Sequence, residues 1–209
     1  SFDPLDGSSN IDANITVGTI FCVFEYNNNN TIIDGSNIVM SGYSLYGGCT
    51  QLIICKHNKV LIYGLDPTND NWIILNDNFK MSNKGTIYSV NESNKYIYNN
   101  KINNYIDDLI INNYTSRWVG SLVADFHRTL IKSGVVFYPS NKKNKTGRIR
   151  LLYEAYPLAY IIENAGGKSS DGKNSLLENK FPWFDIHKKV SIYYGSYYEM
   201  DKLKEFFIN

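Results

Sequence analysis

The chain has 209 residues, 43% of them hydrophobic and 20% charged, and 21 Lys and Arg against 20 Asp and Glu leave a formal net charge of +1. That length and apolar content can bury a sizeable core in one large domain or one and a half, and they exclude a chain that is disordered throughout. The charge gives no basic field for nucleic acid, no apolar run reaches the ~18 residues of a membrane span, and no charged-then-apolar leader opens the chain. Neither a nucleic-acid nor a membrane partner is therefore expected. Three cysteines, Cys22, Cys49 and Cys55, form no CxxC pair and are too sparse for a disulfide scaffold. They predict buried thiols in a reducing compartment and a soluble cytoplasmic protein.

The chain opens on Asp3-Pro4-Leu5-Asp6-Gly7-Ser8-Ser9-Asn10-Ile11-Asp12. Asp3 and Asp6 are hard oxygen donors of the kind that hold Mg²⁺ or Mn²⁺, ions that keep positions for waters and phosphate oxygens. Gly7 lets the backbone approach a ligand, and the amides and hydroxyls of Ser8 and Ser9 supply an anion nest. Asp-Pro and Asp-Gly are also ordinary turn dipeptides, so an Asx-rich turn competes with a metal-and-phosphate site on the residues alone.

Residues 15–26, rich in β-branched and aromatic side chains, predict a buried strand that runs into a loop at Asn27 to Asn30, a low-complexity tract without function. Residues 59–65 and 72–75 predict two strands across the turn signal of 66–71, together an antiparallel meander. A soft boundary falls near residue 80. The second part starts at 86–90, and the polar, Asn-rich stretch 93–104 predicts a surface link or a ragged helix start. Val119, Leu122, Val123, Phe126, Leu130 and Ile131 recur at three-to-four spacing and predict a helix over 119–132 with one core face.

Residues 134–138 and 148–152 predict strands around a hairpin whose solvated tip carries Lys142, Lys143 and Lys145. Arg148 and Arg150 lie two apart on such a strand and share one face, with Ile149 on the other; a basic edge strand in water competes with a substrate role. Glu154 opens a helix to Ala165 closed by Gly166 and Gly167, and a Glu in a first helical turn commonly serves the helix dipole. A last strand at 190–194 and a last helix at 198–207 complete a layered α/β sandwich without repeats. His57, His127 and His187 lack metal-ligand spacing, and no His–Asp pattern accompanies Ser8 or Ser9, so none is expected to be a ligand or nucleophile.

The opening string resembles the signature loop of the fructose-1,6-bisphosphatase family, and later blocks recur in the family's order. They are Thr19-Ile20-Phe21, Tyr43 to Gly47, Asn91-Glu92 and the run from Arg117 to Leu130 that contains Ala124-Asp125-Phe126-His127-Arg128-Thr129-Leu130. Tyr138-Pro139-Ser140-Asn141-Lys142-Lys143, then Arg148-Ile149-Arg150-Leu151-Leu152-Tyr153-Glu154, Pro157 to Tyr160 and Ala165-Gly166-Gly167 close the series. The resemblance implies the sugar-phosphatase fold, an α+β layered sandwich of mixed sheets with helices between and outside them, its N-terminal part missing. Residues 1–80 would be the remainder of an N-terminal domain with the metal and phosphate loop, and 81–209 a C-terminal substrate-binding domain.

The implied activity is metal-dependent hydrolysis of the 1-phosphate of fructose 1,6-bisphosphate to fructose 6-phosphate and phosphate, with Mg²⁺ or Mn²⁺ as cofactor. Asp3, Asp6 and Glu154 would be the catalytic carboxylates and, with the backbone carbonyl of Leu5, the metal ligands. Asp6, Gly7, Ser8, Ser9, Arg148 and Arg150 would meet the reacting phosphate and sugar hydroxyls. Asn91 and Tyr138 would hold the distal phosphate together with Arg117 from a neighbouring subunit, which implies a homo-oligomer, a tetramer. Three positions depart from the family: Arg148 stands where Lys is usual, and Trp118 and Asn94 stand where Tyr is common, which changes the donors available to hydroxyls and to the distal phosphate. Sedoheptulose bisphosphatases share the first loop but as a rule lack the Tyr-Pro-x-Asn-Lys-Lys and Ala-Asp-x-His-Arg-Thr-Leu strings. A sedoheptulose-1,7-bisphosphatase and a truncated, non-catalytic remnant that binds sugar phosphates stay as alternatives. The family also carries a large N-terminal region with further metal carboxylates and an AMP site, so the chain is expected to be a fragment, with a plastid location left open beside the cytoplasm.

Overall fold

The structure is a computed structural model that describes residues 1–25 and 32–208. Its first part contains β1 (Phe2–Asp6), β2 (Val17–Phe24), β3 (Ile32–Ile33), β4 (Ile38–Tyr46), β5 (Thr50–Lys56), β6 (Lys59–Asp66) and β7 (Asn71–Asn76). The second part contains β8 (Ile87–Ser89), α1 (Asn100–Ile111), β9 (Thr115–Ser116), α2 (Leu122–Lys132), β10 (Val135–Tyr138), β11 (Ile149–Arg150) and α3 (Tyr156–Asn164). It ends with β12 (Lys168–Ser170), β13 (Phe181–Pro182), β14 (Lys189–Val190), β15 (Ile192–Gly195) and α4 (Tyr197–Ile208).

Six strands form an antiparallel sheet in the order β1-β2-β4-β5-β6-β7. Alternation explains its buried face: Gly18, Ile20 and Cys22 point inward from β2, as do Tyr43 and Leu45 from β4. A Cβ on Gly18 would sit 2.2 Å from the Ser44 carbonyl oxygen, so β2 and β4 approach closely only because residue 18 has no side chain. The second sheet runs β12-β15-β10-β8-β9, parallel between β10, β8 and β9 and antiparallel at β15.

Helices α2 and α3 touch strands of both sheets and fill the space between them. Phe126, Leu130, Leu158, Ile161 and Ile162 are fully buried there. Helices α1 and α4 pack on each other, and their Ile102, Tyr105, Ile106, Leu109, Met200 and Leu203 join Tyr88, Phe137 and Tyr193 of the second sheet in a second core. The architecture is thus the expected α/β layered sandwich, mixed sheets with helices between and outside them. No helix of the described residues is long and apolar enough to cross a membrane.

Several elements differ from the sequence reading. Of the two readings offered for residues 93–104, the helix start holds and the surface link does not: they form a 3₁₀ turn, Glu92–Ile97, and the opening of α1. The asparagines hid an amphipathic pattern whose Ile102, Tyr105, Ile106 and Leu109 are buried, while Asn99 caps the helix by accepting the Ile102 amide at 2.9 Å. The lysine-rich segment is not a hairpin, because β10 pairs with β15 and β8 whereas β11 pairs with β14. The strand expected over 148–152 is only Ile149–Arg150, and Leu151–Ala155 turns as a π-helix before α3 begins. Helix α2 starts at Leu122, after Gly120 at φ +88° and an extended Ser121 break the register expected from Val119. Cys22 and Cys55 are buried but Cys49 is exposed. Strands β4 and β5 went unpredicted. Tyr26 and the run Asn27 to Asn30 lie outside the described residues.

Candidate active site

Strand β1 ends at the first sheet's edge, and its antiparallel pairing with β2 shifts register between Asp3 and Asp6. Asp6 is 7% exposed and its Oδ2 accepts the Val123 amide at 2.7 Å, so a carboxylate from β1 caps the N-terminus of α2 in place of Ser121, whose hydroxyl makes no cap. Glu154 reaches the same place from the π-helical turn, its Oε2 accepting the Arg150 amide at 2.5 Å. Asp3, Asp6 and Glu154 each offer an oxygen, all within 4.8 Å of one another, and are the one such acidic or His/Cys group among the described residues.

The charge is uncompensated. Burial pushes the Asp6 carboxyl up to about 6 against the pull of the Val123 amide, with the Asp3 and Asp125 charges adding to the rise. Glu154 is raised well above the usual carboxylate range, first by burial and then by Asp6 and Asp3, while the Arg150 amide opposes the shift. No Lys or Arg of the described residues forms an ion pair with any of the three. Three oxygen ligands converging where negative charge is costly fit a hard divalent cation, which would supply the missing positive charge.

Next to this cluster Gly7 adopts φ +79°, which a side chain would strain, and leads into a 3₁₀ turn at Ser8–Asn10. A Cβ on Gly7 would also strike the Ser121 hydroxyl at 2.4 Å, so the loop lies directly on the start of α2. Asn10 ties the two segments, its Nδ2 donating to the Gly7 and Gly120 carbonyls at 3.2 and 3.3 Å. A cavity of about 500 Å³ opens from Asp6, Gly7, Ser9 and Glu154 past Gly120 and Leu122 to Asn91, Asn94, Tyr98, Trp118, Tyr138 and Arg148.

Asp6, Gly7, Ser9, Asn91, Tyr138, Arg148 and Glu154 thus line one cavity, and Asp3 joins through the carboxylate cluster. Leu5, Ser8, Arg117 and Arg150 do not line it. Leu5 is on β1 and its amide donates to Asp3 at 3.1 Å, whereas Ser8 begins the 3₁₀ turn. Arg117 is exposed and donates to the Ser116 carbonyl at 3.3 Å. Arg148 and Arg150 do not share a face: the strand is too short to sustain alternation past Ile149, and Arg150 Nη1 donates to the His187 carbonyl at 3.0 Å. Trp118 packs on Tyr138 with ring centroids 4.8 Å apart.

His127 is far from a ligand role in character: its Nδ1 meets the Tyr43 hydroxyl at 2.8 Å, and burial lowers it to about 4. The sequence reading missed Asp125, Gly120 and Leu122. Asp125 had one legible sign, an acidic residue interrupting the apolar face of α2.

The chain matches two family profiles, "Fructose-1-6-bisphosphatase, N-terminal domain" over residues 1–77 and "Fructose-1-6-bisphosphatase, C-terminal domain" over residues 81–208. A fructose-1,6-bisphosphatase class 1 of Sulfurihydrogenibium sp. (strain YO3AOP1) is 45% identical over 214 residues, covering 100% of this chain and 65% of the relative. Fructose-1,6-bisphosphatase 1 of Bos taurus is 40% identical over 206 residues, covering 93% of this chain and 60% of its own length. The crystal structure of Leishmania major fructose-1,6-bisphosphatase in holo form superposes with a TM-score of 0.94 at 38% identity, over 100% of this chain and 69% of that one. The chain belongs to the fructose-1,6-bisphosphatase family. It spans 65% of the length of the first of these curated relatives.

Proposed function

We propose that the protein hydrolyses the 1-phosphate of fructose 1,6-bisphosphate to fructose 6-phosphate and inorganic phosphate. The observation that carries this is the carboxylate cluster of Asp3, Asp6 and Glu154, with Asp6 buried and the other two half-buried, beside a cavity whose adjoining walls are the Gly7 loop and the start of α2, in a chain of this family. Asp3, Asp6, Glu154 and the Leu5 carbonyl would hold Mg²⁺ or Mn²⁺. Bound there, such an ion supplies an activated water and neutralises the phosphoryl oxygens.

The chain's own groups do the rest. The loop from Gly7 to Ser9 offers amides and hydroxyls to the departing phosphoryl group, and the α2 N-terminus adds its positive dipole end on the same side. Arg150, four residues before Glu154 and joined to its carboxylate by a backbone amide hydrogen bond, adds charge near the reacting phosphate once its contact with His187 is exchanged. Arg148, Asn91 and Tyr138 bind the sugar hydroxyls and distal phosphate, and Arg117, exposed on this chain, serves a neighbouring subunit of a homotetramer. Residues 1–80 carry the metal and phosphate loop and residues 81–209 the substrate-binding part. The three free thiols agree with a reducing, cytoplasmic setting.

Phosphate release from fructose 1,6-bisphosphate by the purified native protein should require Mg²⁺ or Mn²⁺, and Asp6→Asn should abolish it. Release that persists in Asp6→Asn sinks the metal assignment. Light scattering of the eluted protein tests the tetramer.

A further inference from the structure

The cavity wall between the carboxylates and Trp118 is held from behind by one buried side chain. Asp125 is fully buried on α2. Its Oδ1 accepts from Ser89 Oγ at 2.9 Å, the Val119 amide at 2.9 Å and Arg128 Nη2 at 2.6 Å. Its Oδ2 accepts from the Gly120 amide at 2.9 Å and the Tyr138 hydroxyl at 3.1 Å. Arg128 also donates to the Arg117 carbonyl, so the pair fixes both ends of the segment 117–120, which is neither helix nor strand over 117–120 and carries Trp118.

A carboxylate surrounded by donors is a stiff support, since without it the buried Ser89 hydroxyl and four half-buried contacts would lose their acceptor together. Tyr138 is locked twice, by its hydrogen bond to Asp125 and by the Trp118 ring against it. Two of the groups so held, Gly120 and Tyr138, line the cavity, Tyr138 beside Trp118 and Gly120 beside the Gly7 loop.

We propose that Asp125 is the positioning residue for the sugar and distal-phosphate side of this cavity. It touches no substrate; it fixes Gly120 and Tyr138 where a sugar phosphate would meet them. The proposal deepens the bisphosphatase reading and rests on it.

Asp125→Asn is the informative variant. Its carbonyl oxygen can stay on Arg128, which turns its NH₂ toward the Gly120 N–H, donor against donor, and displaces the wall. The KM for fructose 1,6-bisphosphate should rise roughly tenfold or more while kcat changes by less than about threefold, because the carboxylate cluster is outside its hydrogen-bond set. The Mg²⁺ concentration for half-maximal rate should change by less than about threefold, since Asp125 reaches Asp6 only through the last and smallest of the charge effects on it. A folded Asp125→Asn with the wild-type KM, or with kcat lost at constant KM, overturns the proposal.

Amide exchange in the unaltered protein gives a second test that needs no variant to fold. The Val119 and Gly120 amide protons should be protected although they belong to no helix or strand; rapid exchange of both overturns the proposal. Wild-type protein that turns over no bisphosphate would instead refute the bisphosphatase reading, and the exchange result would still decide whether Asp125 holds the wall.

Discussion

Replacing Asp6 by Asn separates the electrostatic strain of the site from its chemistry. The rise of the Asp6 carboxyl from 3.8 to about 6 makes its charged form cost about 3 kcal/mol in the folded, ion-free protein at neutral pH. The sign is that of an acid whose folded pKa is raised: the penalty is absent below pH 3.8, grows as pH rises, and is complete above about 6. Asn keeps an oxygen to accept the Val123 amide and carries no charge. In EDTA at pH 7.5, Asp6→Asn should therefore melt higher than the wild type by roughly 6–12 °C for a chain of this size, and the gain should vanish near pH 4. Adding Mg²⁺ should raise the wild-type Tm and leave the variant unmoved, because only a folded state with its ligands gains from the ion. Calorimetry across that pH range checks both parts. A variant no more stable than the wild type in EDTA at pH 7.5, or a gain that persists undiminished at pH 4, would refute the reasoning.

His127→Gln should flatten the acid limb of stability. Burial keeps the imidazole neutral until about pH 4, so the wild type loses about 3 kcal/mol as pH falls from 6.5 to 4 through protonation of the unfolded chain, and the variant should not; urea titrations of both proteins at pH 7 and 4.5 check it. Gly18→Ala should cost about 3 kcal/mol or prevent folding, since its Cβ would press on the Ser44 carbonyl between paired strands, as a urea midpoint will show. Cys49 should react at once with a thiol reagent, whereas the buried Cys22 and Cys55, the latter pushed up to about 12 by burial, should react only on unfolding; absorbance at two denaturant concentrations counts them.

Where burial follows period, the sequence was legible. Ile20 and Cys22 alternate into the core from β2, and Phe126 and Leu130 recur on one side of α2, so both elements were found within a few residues of their ends. Strand β4 was not, because Ser41, Gly42 and Ser44 dilute its apolar pattern and its strand state is imposed by neighbours on both sides. Helix α1 was obscured by asparagines on its wet face. In the site, Asp3, Asp6 and the Gly7 loop were legible as donor chemistry in a short string, and Glu154 needed the family's motif. The π-helical turn that presents Glu154, the cap that Asp6 places on α2 and the hydrogen-bond set of Asp125 all depend on contacts between segments distant in the chain. No local pattern encodes them.

The carboxylate cluster also sets an order of events. Asp3 and Glu154 lie roughly 150 residues apart in sequence, so their contact carries a high loop-closure cost and is expected to form late in folding. Repulsion that appears so late weighs on the native state and hardly on the transition state that precedes it. Its relief should lengthen the lifetime of the folded chain while leaving the speed of folding unchanged, so the site governs how long the protein lasts without its ion rather than how fast it forms.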